Sequence, residues 1–186
     1  TNVDSHLRLA DEIEAPICVS ERLISKYQFR EYLKAGAAEV VMPDLIWTGG
    51  ITETKKICTM AEAEQRPVAP HDMTGPVNVF ACAHISMNVP NVFLMETCRA
   101  FYGEGGWYDK VVETNIRVED GNLLAPEGPG LGTRLRPDVF GRSDLTVEIT
   151  DEPRNHFHWG GHESPAFEVV GAHGERRVKY RDTWSG

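Results

Sequence analysis

Basic residues are scarce in this chain: 19 Lys and Arg stand against 28 Asp and Glu, for a formal net charge of -9. So acidic an average opposes a phosphate backbone, and nonspecific nucleic-acid binding is not expected. Cysteine is sparse too. The four thiols, at positions 18, 58, 82 and 98, are too widely spaced for a metal knuckle, and each lies in or beside an apolar run. That placement predicts reduced, buried thiols rather than a disulfide framework. No apolar run is long enough to span a bilayer, and the opening TNVDSHLRLADEIEAP is not a basic leader followed by an apolar signal core. These absences predict a cytoplasmic protein without a membrane partner. What is present is an apolar fraction of 41% in 186 residues, enough for a folded core.

The stretch from Val40 to Glu96 organises the rest. VVMPD, PVAPH and VFLME are short apolar runs, each ending in an ionisable residue: Asp44, His71 and Glu96. Upstream, PICVSE does the same with Glu21. Side chains at the C-terminal ends of parallel strands share one mouth, where βα-repeat enzymes place their chemistry. An imidazole beside one carboxylate and opposite another, with a further carboxylate available to a metal, suits proton abstraction from carbon.

The intervening segments read as helices. Apolar residues at 3, 7, 9, 10 and 13 predict a helix ending before Pro16, and Ile17 to Val19 a short buried strand. Ser20, Glu21 and Arg22 form the loop at that strand's end. Ser25 is placed to cap the next helix, which Gly36 stops. Ala38 to Met42 is the following strand. DLIWTGG reads as its loop, leading through Thr52 into a helix that ends near Gln65. Pro67 and Pro70 bracket another strand, Pro76 suits an early helical position, and Val92 to Met95 is the last strand of the series. Strands alternating with helical connections of about a dozen residues predict parallel βαβ units, an α/β fold.

Beyond Glu96 the pattern changes. FYGEGGWYDK is a loop rich in glycine and aromatics, and VVETNIRVEDGNLL predicts two extended pieces around a turn. EGPGLG lacks both the phosphate-loop pattern and its strand-turn-helix setting, so nucleotide binding is not expected there. LTVEI, AFEVV and RRVKY read as extended structure. HFHWGGH brings His156, His158 and His162 close in sequence, a set able to bind zinc or nickel, although a polar tail or oligomer contact accounts for it more simply. His6 and His84 fall within predicted helices and read as structural. Phe101, Tyr102, Trp107 and Tyr108 suit either substrate enclosure or packing.

The passages SERL, AAEVVMPDLIWTGGITE, APH followed by TGP, PNVFLMET and DGNLLAPEGPGLG, in this order and spacing, resemble the mandelate racemase and muconate lactonizing branch of the enolase superfamily. They resemble its acid-sugar dehydratases most. The resemblance covers roughly residues 3 to 138 and implies the C-terminal half of a modified TIM barrel, (β/α)7β, with C-terminal extended segments joining a capping domain. It implies a partial barrel over 1–100, a segment packing on barrel and cap over 101–150, and an extended tail over 151–186. Strands five to eight would be present. The first four strands, the first two metal carboxylates and the basic residues of the second strand have no counterparts in the chain.

The same resemblance implies a magnesium ion held in part by Glu21, His71 as the base, Asp44 as its orienting partner and Glu96 as the acid over a substrate carboxylate oxygen. Trp47 and Arg22 are candidates to line the substrate mouth. The implied reaction is dehydration of a sugar acid in the complete enzyme, with the 186 residues alone inactive and covered by a missing N-terminal portion or by other copies in a homo-oligomer. Two alternatives stay open: a racemase or lactonizing enzyme that starts from the same α-proton, and a noncatalytic binding or assembly module with a remnant site.

Overall fold

Strand and helix alternate from Val3 to Thr97, and the helical connections return the backbone to the same end of a parallel sheet. The computed structural model describes residues 2–98, 103, 105–145, 158–159 and 162–163. Helix α1 (Val3–Glu12) starts at Asn2, whose side chain accepts from the Ser5 amide, and it lays Val3, Leu7 and Ala10 against the core. Strand β1 (Cys18–Val19) follows, then α2 (Lys26–Ala35), β2 (Val40–Val41), α3 (Leu45–Thr48) and α4 (Ile51–Ala63). Strand β3 (His71–Asp72), α5 (Pro76–Asn88) and β4 (Glu96–Thr97) complete the series.

The strands pair in chain order and all in parallel. Cys18 and Val19 sit opposite Val40 and Val41, and His71 and Asp72 sit opposite Glu96 and Thr97. Single bridges join these two ladders, Val41 to Val68 and Asp44 to His71, and Val68 also bridges to Val92. Between helices and sheet lies a core that includes Val19, Leu23, Phe29, Tyr32, Val41, Leu45, Ile57, Val68 and Ile85, all nearly or fully buried. Burying each such side chain stabilises the fold by about 1.5–3 kcal/mol before chain entropy is counted.

Several expectations need correction. DLIWTGG is not all loop: Leu45–Thr48 forms the helical turn α3, because Asp44 caps it and Gly49 and Gly50, at φ 101° and 102°, end it in a backbone region costly for other residues. Ser25 occupies the N-cap of α2 but makes no side-chain cap bond; its carbonyl accepts from Gln28 and Phe29, while the Gln28 side chain accepts from the Ile24 amide. The strand placed between Pro67 and Pro70 pairs on both sides at Val68, which bridges to Val41 and to Val92, and its pairing runs on past Pro70 to the ladder at His71–Asp72. The strand expected at Val92–Met95 likewise bridges to Val68 at Val92 and continues as the ladder at Glu96–Thr97, with Phe93 and Leu94 exposed. Of the cysteines, Cys58 and Cys82 are buried as expected, whereas Cys18 is exposed and Cys98 half-buried.

After β4, a 3-10 turn at Trp107–Lys110 buries Tyr108 against Val79, Phe80, Ala83 and Ile116. Tyr108 is thus a packing residue, and exposed Trp107 stands edge-on to it at 4.7 Å. Phe101 and Tyr102 lie outside the described residues. The extended pieces expected around a turn are a hairpin, β5 (Val118–Glu119) and β6 (Asn122–Leu123), closed by Asp120 and Gly121 at φ 49° and 77°. Two consecutive positive φ values are what a two-residue hairpin turn requires. The chain divides into two compact units, residues 1–142 and 143–186. In the second, β7 (His158–Trp159) and β8 (His162–Glu163) pair antiparallel. His156 and the side chains of His158 and His162 lie outside the description, as do most of the alternating segments of the tail.

Candidate active site

Asp44 follows β2, His71 opens β3 and Glu96 opens β4, so adjacent strand ends set the three side chains in a row. The backbone fixes the register: the His71 amide donates to the Pro43 carbonyl at 3.0 Å and the Glu96 amide to the Pro70 carbonyl at 2.9 Å. His71 Nδ1 lies 2.9 Å from Asp44 Oδ2. Its other nitrogen, Nε2, lies 3.5 Å from Glu96 Oε2, a buried oxygen with no hydrogen bond.

Asp44 is fully buried and serves two structures at once. Its Oδ1 accepts from the Ile46 and Trp47 amides at 2.8 and 3.1 Å, capping α3, while Oδ2 faces the imidazole and, at 3.5 Å, the Thr74 hydroxyl. An ionised acceptor at Nδ1 fixes the proton there and leaves Nε2 as the basic nitrogen. The hydrogen bond to Asp44 is the main reason the His71 pKa is raised; burial opposes the rise, and the charges of Glu96, Asp44 and Glu21 add to it.

Glu21, in the turn after β1, is half-buried and close enough for its charge to act on His71. Arg22 is exposed beside it, and its guanidinium carbon stands 5.9 Å from the centre of the half-exposed Trp47 ring. Asp44, His71 and Glu96 are thus brought together with Glu21 near enough to act on the imidazole, while Arg22, after β1, and Trp47, in α3 after β2, contact each other. His84 takes the structural place expected of it, Nε2 lying 3.1 Å from the Leu131 carbonyl oxygen.

The sequence reading missed the layer behind His71. Asp72 is buried, and its carboxylate accepts from Thr97 Oγ1 at 2.9 Å and from Asn78 Nδ2 at 3.1 Å. Burial pushes its pKa up to about 6, against the pull of those two hydrogen bonds. The signal was the second ionisable residue of PHD: in a strand, a neighbour of His71 must face the opposite side, toward α5.

The family model described as enolase C-terminal domain-like matches residues 1–139. The chain belongs to that family. Among the relatives of this enolase-type domain, an arabinonate dehydratase of Saccharolobus solfataricus is 31% identical over 138 residues, covering 74% of this chain and 36% of that protein. A D-galactonate dehydratase of Ralstonia nicotianae is 37% identical over 135 residues, covering 71% and 35%. An enolase of the mandelate racemase subgroup from Agrobacterium tumefaciens superposes with a TM-score of 0.68 at 43% identity, covering 75% of this chain and 37% of that one. A Salmonella Typhimurium member of the enolase superfamily superposes with a TM-score of 0.72 at 30% identity, covering 79% and 37%. The chain thus spans little more than a third of these relatives' length, and its α/β fold is the C-terminal half of a TIM barrel.

Magnesium, implied by the resemblance, needs a nearly complete octahedron of oxygen ligands. Among the described residues no three His, Cys, Asp or Glu side chains group as a metal site. Glu21, the ligand that the resemblance implies, is a single carboxylate, so the described residues do not by themselves fit magnesium. No helix among them is long and apolar enough to cross a membrane.

Proposed function

We propose that the full-length protein carrying this chain dehydrates a sugar acid, with His71 removing the proton α to the carboxylate. One observation carries the reading: an imidazole whose Nδ1 is held by a buried carboxylate at 2.9 Å and whose Nε2 faces a second carboxylate at 3.5 Å. A substrate carbon acid placed against both His71 and Glu96 gives its α-proton to Nε2. Asp44 keeps the ring in the productive tautomer and favours the imidazolium that forms. Glu96, which must carry or receive a proton for this role, hydrogen-bonds the carboxylate oxygen on which charge accumulates. The proton on Nε2 then goes to the departing β-hydroxyl, water leaves, and the resulting enol tautomerises to a 2-keto-3-deoxy acid. Every proton taken is returned, so no oxidant or reductant is needed.

The names of the arabinonate and D-galactonate dehydratases support a sugar acid as the substrate class. Arg22 and Trp47 are proposed to flank its hydroxylated chain. Glu21 is the residue of this chain proposed as a metal ligand, with further donors from outside the described residues. The reading includes a cytoplasmic location, further chain or additional copies around the sheet, and the division at residues 100 and 150.

Mass spectrometry and a keto-group assay across a panel of sugar acids test the reaction. Loss of one water with a 2-keto-3-deoxy product is expected. Inversion of the α-carbon without water loss sinks dehydration and favours racemization. For the base, His71→Asn should abolish exchange of the α-proton with deuterated solvent; exchange at the parent rate removes His71 from the role.

A further inference from the structure

The two-residue ladder of β3 and β4 puts different chemistry on its two faces. On one, His71 and Glu96 are Cα partners and meet at 3.5 Å; on the other, the next rung pairs Asp72 with Thr97. Asp72 Oδ2 accepts from the Thr97 hydroxyl at 2.9 Å, joining the two strands through side chains. Its Oδ1 accepts from Asn78 Nδ2 at 3.1 Å, and that same amide reaches the His71 carbonyl oxygen at 3.4 Å. Cys82 Sγ donates to this carbonyl as well, at 3.4 Å. The backbone of His71 is thereby anchored to α5, which carries both Asn78 and Cys82.

Among the described residues, β4 is held by backbone bonds from the Phe93 and Glu96 amides to the Val68 and Pro70 carbonyls and by few side chains. Phe93 and Leu94 are exposed, the bridge before them is at Val92, and the ladder ends at Thr97. Short ladders fray from their ends, and a free strand end would carry Glu96 away from the imidazole. We infer that the Asp72–Thr97 pair is a positioning clamp that holds the Glu96 carboxylate at His71 Nε2. This deepens the proposed role of His71 and Glu96 as partners in proton transfer. Asp72 and Thr97 do not touch the reacting atoms; they act through the strand that presents Glu96. Thr97 can be changed with little packing loss, since it is half-buried and its hydroxyl makes the contact.

The test is a titration of the His71 ring by NMR, its resonance among the 7 histidines assigned by its loss in His71→Asn. Withdrawing Glu96 removes part of the negative charge facing the ring, so Thr97→Val should lower the His71 pKa by roughly half a unit. Thr97→Ser should restore it. In a Glu96→Gln background Thr97→Val should change nothing further, because the clamp has no charge left to place. A His71 titration unmoved by Thr97→Val, or moved equally in both backgrounds, overturns the clamp; the second result would mean that Asp72 acts on His71 by its own charge. Thr97→Ala provides the same reading if the valine does not fold, with backbone amide spectra checking the fold of each variant. No substrate enters the measurement, so its outcome is separate from whether sugar acids are dehydrated.

Discussion

Asp44 shows how one side chain can be separated into two functions by a single-atom change. Its Oδ1 caps α3 and its Oδ2 accepts from His71 Nδ1, so Asp44→Asn can keep the cap while turning an amide NH2 toward the ring. The imidazole must then accept at Nδ1 and carry its proton at Nε2, the wrong tautomer for a base. Imidazole 15N shifts should report that exchange, with thermal stability falling by less than about 1 kcal/mol because the cap survives. A ring still protonated at Nδ1 would show that Asp44 does not set the tautomer. Linkage runs in the same direction for His71 and Asp72. A raised His71 pKa gives a stabilising contribution that is whole below the unfolded value and fades as pH rises through the folded one. Asp72, at about 6 in the fold against 3.8 ordinarily, likewise favours the folded state most at low pH and loses that contribution between about pH 4 and 6. Asp72→Asn removes the titration, so urea unfolding from pH 4 to 7 should show the variant gaining on the parent by about 2 kcal/mol across that window. Parallel pH profiles would place the Asp72 pKa near its ordinary value.

Among the elements, the βα units were legible because period and punctuation agree. α2 ends at Gly36, α5 begins at Pro76, and β1 and β2 fall within the expected apolar runs. What escaped was set by partners rather than by pattern. α3 exists because Asp44 and the two glycines close a single turn, and four residues show no helical period. The pairing at Val68 and Val92 runs on past Pro70 into the ladder of β3 and β4 because a strand pairs where its neighbour can, a property of two segments that neither reveals singly. In the site, strand-end position led to Glu21, Asp44, His71 and Glu96, but the Asp72–Thr97 contact joins residues 25 apart and leaves no local mark. EGPGLG was readable only as a loop without phosphate chemistry, and packing explains one of its glycines. Gly132 has φ 81°, and a Cβ there would stand 2.8 Å from the Glu127 carbonyl oxygen and 2.9 Å from Pro126 Cβ. Gly132→Ala should therefore lower stability by about 1–3 kcal/mol, read as a fall in the urea midpoint. An unchanged midpoint would mean that the loop shifts freely.

For the whole molecule, the described sheet determines what the 186 residues can do by themselves. Among the described residues, β1 pairs only with β2 and β4 only with β3, so the sheet has two open edges. Ile46, Met73, Phe93 and Leu94 are exposed. Open parallel edges with apolar side chains at the surface favour association. The same sheet carries the proposed base, its orienting carboxylate and the proposed acid, yet no three-ligand metal group among the described residues. Deprotonating carbon beside a carboxylate builds charge on two oxygens, and His71 with Glu96 compensates only part of it. The isolated chain is therefore expected to associate, and to give no turnover of sugar acids even with magnesium added. Native mass spectrometry paired with the keto-group assay examines both in one preparation. A monodisperse single chain with magnesium-dependent turnover, abolished by Glu21→Gln, would show that these residues complete a site by themselves and would overturn the prediction.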